Sequence, residues 1–197
     1  MNKILLFTAI ILVNATAIAQ NKNLLAKVKK VNGVEAYIMC EPLREYETVV
    51  DVATGMKAES LLTGGLVNKS ISGKVEQFIK RAKKENENFD AIVYTSGKSI
   101  VAVKFTDKGT SSTTGIGKVN KIKGLPAFVM CEPLADYEVL RSEGGGVKWK
   151  SVVTAGIVNN GIDEDVEKIV KKLDGARGVE AFYLDGSKEG QAIKFTN

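Results

Sequence analysis

Apolar and polar positions change period in the same order twice along this chain. Residues 36–41 (Ala-Tyr-Ile-Met-Cys-Glu) and 127–132 (Ala-Phe-Val-Met-Cys-Glu) are short, apolar and strand-like. Each is stopped by a proline, Pro42 or Pro133, which has no N–H to give to a ladder. Residues 46–52 read as a second strand and 56–67 as a third, after a turn near Thr54-Gly55. In the second copy that turn is Gly144-Gly145-Gly146, a strong hairpin signal, and Val147, Trp149 and Ser151 alternate with Lys148 and Lys150 as on a strand with one wet face. The period then moves from two to 3.6. Val75, Phe78, Ile79 and Ala82 fall at i, i+3, i+4 and i+7, as do Val166, Ile169, Val170 and Leu173, so each copy predicts one amphipathic helix. Ser72 and Asp163 stand at equivalent places to cap it, and Glu164 and Asp165 suit its positive N-terminal end. Strands 90–95 and 100–106 follow in one copy, 180–185 and 191–196 in the other, around Ser96-Gly97 and Asp185-Gly186. The predicted fold class is α+β: a tandem repeat of two β-β-β-α-β-β units, each a small sheet covered by one amphipathic helix.

The two copies are one unit written twice. Cys40-Glu-Pro-Leu-Arg-Glu-Tyr-Glu47 recurs as Cys131-Glu-Pro-Leu-Ala-Asp-Tyr-Glu138, and over 28–68 against 119–159, 18 of 41 residues are identical without a gap. This sets the expected organisation as repeat one over 26–107, a Gly/Ser/Thr linker over 108–117 and repeat two over 118–197. Each unit is near the lower size at which a single core is comfortable, which gives the halves a reason to pack together or the protein a reason to oligomerise.

The first nineteen residues read as a signal peptide: Lys3, an apolar run over 4–13, then Ala17-x-Ala19 with cleavage expected after Ala19. The run falls short of the roughly 20 apolar residues a membrane span needs, so the mature chain is expected without a transmembrane segment, periplasmic or secreted. Its charges are interspersed rather than blocked. No basic stripe with aromatic platforms is present, which argues against nucleic acid.

The extended apolar start, the Tyr-Glu strand, the amphipathic helix and then Phe89-Asp-Ala-Ile-Val-Tyr94 closed by Ala102-Val-Lys-Phe105 resemble the small heavy-metal-binding-domain family of bacteria. That family's Gly-Ala-(Asp/Asn)-Ala-Val-(Val/Ile) is half met by Asp90-Ala-Ile-Val and by Glu180-Ala-Phe-Tyr, and the resemblance covers about half of each repeat. It implies a β-rich fold with one covering helix and a tendency to form rings. It assigns no residue a role.

Cys40 and Cys131 are the chain's only cysteines. In an exported protein an even count points toward a disulfide, but two equivalent residues can bond only if both approach the symmetry axis. Strand alternation puts Ala36, Ile38 and Cys40 on one face, under the helix, so the two thiols are expected in separate cores as free buried groups. An inter-repeat disulfide, and a metal or reactive role, stand beside that reading. Met39-Cys40 and Met130-Cys131 suit a soft metal in donor type, yet neighbours on a strand point to opposite faces. Glu41, Tyr46 and Glu47, repeated as Glu132, Tyr137 and Glu138, read either as surface patches for a partner or as a strand-to-strand corner. Repetition in both copies favours the corner. Trp149, where the first copy has Ala58, is a further candidate contact.

The chain has no histidine, which removes Ser-His-Asp and Cys-His catalysis and the commonest zinc and copper ligand. No cofactor-binding motif is present: Gly97-Lys98-Ser99 lacks the upstream glycine of a phosphate loop. The expected function is a non-catalytic exported binding or assembly module of the bacterial envelope, partnered by an unidentified protein, an envelope component or its own copies. The alternative is a thiol-dependent metal-binding or redox protein using Cys40 and Cys131.

Overall fold

The structure, a computed structural model, describes residues 22–51, 70–96, 100–143, 162–187 and 189–196. The signal peptide, the third strand of each copy, the Gly144–146 turn and Trp149 lie outside the described residues. After a 3₁₀ turn (Lys22–Leu24), the first copy forms β1 (Leu25–Val31), β2 (Val34–Ile38), β3 (Cys40–Pro42), β4 (Tyr46–Asp51), α1 (Ile71–Glu85), β5 (Ala91–Tyr94) and β6 (Val101–Phe105). The second forms β7 (Ile116–Val119), β8 (Lys121–Ile122), β9 (Leu125–Val129), β10 (Cys131–Pro133), β11 (Tyr137–Glu143), α2 (Ile162–Leu173), β12 (Ala181–Leu184) and β13 (Gly190–Phe195).

The expectation of two separate small sheets is overturned. Thirteen strands are joined through their ladders in one large mixed sheet, with α1 and α2 as the two α-helices among the described residues. The local pattern missed β1 and its counterpart β7–β8, which begin each copy. Asn32-Gly33 and Lys123-Gly124 turn β1 into β2 and β8 into β9, all four residues holding positive φ. That is the backbone of a two-residue hairpin whose twist matches its strands.

Pairing across the copies is what fuses the sheets. Ala26 pairs with Gly117 in β1–β7, and Ile38 pairs with Val129 in β2–β9; both pairs are separated by 91 residues, the repeat spacing. Each pair therefore consists of one position and its own copy, so a pseudo-two-fold axis passes through both. The remaining contacts obey it: β10 pairs with β1 and β3 with β7. This is the isologous interface of a two-fold dimer, built inside one chain.

Two runs of strands result. An eight-strand run, β4-β6-β5-β2-β9-β12-β13-β11, spans both copies, and a four-strand run, β10-β1-β7-β3, folds back over one of its faces. The helices cover the other face. Val75, Ile79 and Ala82 of α1 and Val166, Val170 and Leu173 of α2 pack there with Ala36, Ile38, Ile92, Val129 and Phe182, while Tyr37, Val93, Phe128 and Ala181 of the same strands pack with Ala26, Val28 and Val119 of the four-strand run. The central strands are buried on both faces, which explains why residues 36–38 read as a continuous apolar run rather than an alternation.

Both helices lie where their 3.6-residue period predicts, but their N-termini differ from expectation. Ser70, not Ser72, caps α1, its side chain accepting the Gly73 N–H at 3.2 Å. Ser72 and Asp163 sit inside the first turns, and Asp163 accepts a hydrogen bond from the Tyr94 hydroxyl at 2.7 Å. Of the segment read as a linker, residues 111–115 form a turn and Ile116 and Gly117 already belong to β7.

Candidate functional site

The expected strand over 36–41 breaks at a single residue. Met39 holds φ +54° and Met130 φ +56°, left-handed conformations that a long side chain rarely adopts. The Met39 N–H donates to the Tyr94 carbonyl in the large run, while its own carbonyl accepts from the Asn120 N–H, just past β7 of the small one. Met130 repeats this with Leu184 and Lys29. Each methionine is the corner at which the chain passes from one layer to the other, and the ladders on both sides hold it there.

That corner shifts the alternation by one. Ile38 and Met39 both face the helices, and Cys40 enters the layer beneath, where Cys131 arrives by the same route. The expectation of two thiols in separate cores is therefore wrong: they share one. Both are fully buried and free. Methionine and cysteine of each copy do lie on opposite sides of the large run, so they form no common chelate.

The cysteines converge on the axis. Cys40 pairs with Val119 and Cys131 with Val28, the positions two residues from the axial Gly117 and Ala26. Glycine at 117 makes the approach possible. A Cβ there would collide with Cys40 Sγ and lie 2.9 Å from the Glu41 carbonyl oxygen and 3.0 Å from Tyr37 Cδ1. The adjacent Cys131 thiol, and then burial, push the Cys40 thiol far above its ordinary range. A group held so firmly protonated is a poor nucleophile and a poor metal ligand.

Beside the cysteines, the copies differ. Tyr37 donates to Glu35 Oε2 at 2.8 Å in a buried pair, where the second copy has Phe128 and Pro126. Arg44 stacks 4.0 Å above the Phe105 ring and bonds Asp107 Oδ1 at 2.8 Å, where the second copy has Ala135. Composition gave no sign of this asymmetry, although the aligned pairs Glu35/Pro126 and Arg44/Ala135 mark it.

The repeated glutamates all sit opposite lysine. Glu41 faces Lys118 and Glu132 faces Lys27 on the outer side of the four-strand run; Glu47 faces Lys104 and Glu138 faces Lys194 at the two ends of the eight-strand run. All four are exposed. Opposite charges directly across a ladder stabilise the pair by about 0.2–1 kcal/mol. Tyr46 and Tyr137 pair with Phe105 and Phe195, and the Tyr137 ring lies 6.1 Å from that of Tyr183. These six residues occupy two symmetric pairs of places, and of them Tyr137 packs against the apolar cluster that holds the cysteines.

Among the described residues, no cluster of three or more Cys, Asp or Glu is placed to hold a metal ion. No family model, curated protein sequence or solved structure matches the chain.

Proposed function

We propose that this protein is a non-catalytic exported module of the bacterial envelope that binds or assembles through two equivalent edges. The observation that carries the reading is where its exposed apolar side chains lie. Among the described residues, the large ones are Tyr46, Val139 and Leu140, on β4 and β11. These two strands end the eight-strand run, each pairing with one neighbour among the described residues. An edge strand offers unpaired backbone groups as well as side chains, which suits it to contact another chain. The most reactive residue type is meanwhile sealed in the core. Export rests on the apolar leader and Ala17-x-Ala19.

A second reading, a thiol-dependent metal or redox protein, draws support from the meeting of Cys40 and Cys131. One preparation separates the two. The chain is recovered from the periplasm, and its mass, metal content and light-scattering mass are measured beside a Tyr46→Ser/Val139→Lys/Leu140→Lys variant. The proposal expects a mature start at Gln20, no stoichiometric metal, and an assembly or bound partner that the variant loses. A monomer carrying one metal ion per chain, released in Cys40→Ser, would sink it.

A further inference from the structure

We infer that Cys40 and Cys131 are the two halves of an inter-repeat disulfide that closes across the pseudo-two-fold axis once the chain meets an oxidising disulfide donor. The two sulfurs of a symmetric pair can bond only where both reach the axis, and the strand register sets the two cysteines symmetrically about it. Cys40 and Cys131 lie on β3 and β10, the outer strands of the four-strand run, opposite Val119 and Val28, which stand two residues from the axial Gly117 and Ala26. The Cys40 sulfur leans over Gly117 itself, into the space a side chain there would fill. Both side chains belong to one apolar cluster and are fully buried. The Cys131 thiol is moreover the first of the groups that raise the Cys40 pKa, so the two are close enough to interact directly.

The left-handed corners at Met39 and Met130 acquire a purpose on this account. Without them, regular alternation would turn both thiols toward the helices and away from each other. The bond would tie two positions 91 residues apart in sequence, and so would restrict the unfolded chain more than a short loop does.

The chemistry is a thiol–disulfide exchange. One thiol, as thiolate, attacks the donor's S–S bond and forms a mixed disulfide, releasing one donor sulfur as a thiol. The second cysteine then attacks the protein sulfur of that mixed disulfide, forming the Cys40–Cys131 bond and releasing the other donor sulfur. The two protons end on the donor thiols, and the two electrons lost by the cysteines reduce the donor. Because neither thiol is exposed in the folded protein, exchange must precede closure of the four-strand run over the sheet.

The test uses the full mature chain, unfolded in reductant and refolded in a glutathione redox buffer. After acid quenching, alkylation in denaturant without reductant is expected to label neither cysteine, with an intact mass two hydrogens below the reduced chain. Peptide mapping should recover a Cys40–Cys131 cross-linked pair. The urea midpoint of this oxidised form should exceed that of the reduced form, and a Cys40→Ala/Cys131→Ala variant should show no such difference between the two buffers. Two thiols that still alkylate after refolding, glutathione adducts in place of the cross-link, or bonds only between separate chains would each overturn the inference.

Discussion

Tyr37 shows how a single position differs in its physics between two copies of one unit. Its hydroxyl donates to the buried Glu35 carboxylate, so Tyr37→Phe, although it copies Phe128, leaves that carboxylate short of a donor. The expected loss is about 1–3 kcal/mol at neutral pH. Alkaline pH gives the same residue a second signature. Burial first, then the Glu35 hydrogen bond, push Tyr37 well above the ordinary tyrosine range. Burial does the same to Tyr94, and raises Tyr183 to about 12. An unfolded tyrosine loses its proton near pH 10. Above that pH the unfolded chain therefore holds fewer protons than the folded one, and stability falls as pH rises, through about pH 12 in the case of Tyr183. In a Cys40→Ala/Cys131→Ala background, which removes the thiols' own titration near pH 8.5, urea midpoints measured from pH 8 to 11 are expected to decline above pH 10, and the decline should be shallower when Tyr37→Phe is added. An identical decline in both proteins would contradict this account.

At the scale of elements, the two helices meet through equivalent positions that carry opposite charge. Lys74 of α1 and Asp165 of α2 are 91 residues apart, and they form an ion pair with both side chains mostly buried. Asp165 Oδ1 is buried without a hydrogen-bond partner among the described residues. The carboxylate thus depends on the lysine, and Lys74→Met is expected to cost about 3–5 kcal/mol by chemical denaturation, as for other buried pairs with one partner removed. A Lys74→Met/Asp165→Leu double variant should recover most of that loss; if it unfolds as early as the single variant, the charge is not what matters. Two identical halves could not form this pair, so duplication followed by divergence favours pairing within the chain over pairing between copies. The helices themselves were legible from sequence because their 3.6-residue period is local and uninterrupted, as at Val75, Ile79 and Ala82. The strand β1 was not, since Leu25-Ala-Lys-Val-Lys-Lys-Val sets three lysines among four apolar residues. Asn32-Gly33 was the available signal that a hairpin began there. Even so, no period in 36–41 could announce a left-handed Met39, because the ladders imposing it come from Tyr94 and Asn120.

For the whole molecule, the octapeptide repeat identified a duplication without saying how its halves meet. Two beads on a linker and one interleaved body have the same local patterns. The deciding contacts, Ala26 with Gly117 and Ile38 with Val129, join residues 91 apart that are individually unremarkable. Their consequence is mechanical. Strand β1 lies between β7 and β10 of the other copy, and β7 between β1 and β3 of the first, so neither half keeps its four-strand layer if removed. The apolar cluster around Cys40 and Cys131 likewise draws side chains from both halves. The covalent link at 110–113, an exposed turn closed by Thr110 and Thr113, is then dispensable for holding the body together. With the cysteines kept reduced or replaced in the Cys40→Ala/Cys131→Ala variant, a protease site placed in that turn is expected to yield two fragments that co-elute at the mass of the intact chain. They should unfold in one transition whose midpoint depends on protein concentration, because a cut two-fold interface behaves as a dimer. Independent domains would instead separate on the column, and each would unfold at a midpoint indifferent to concentration.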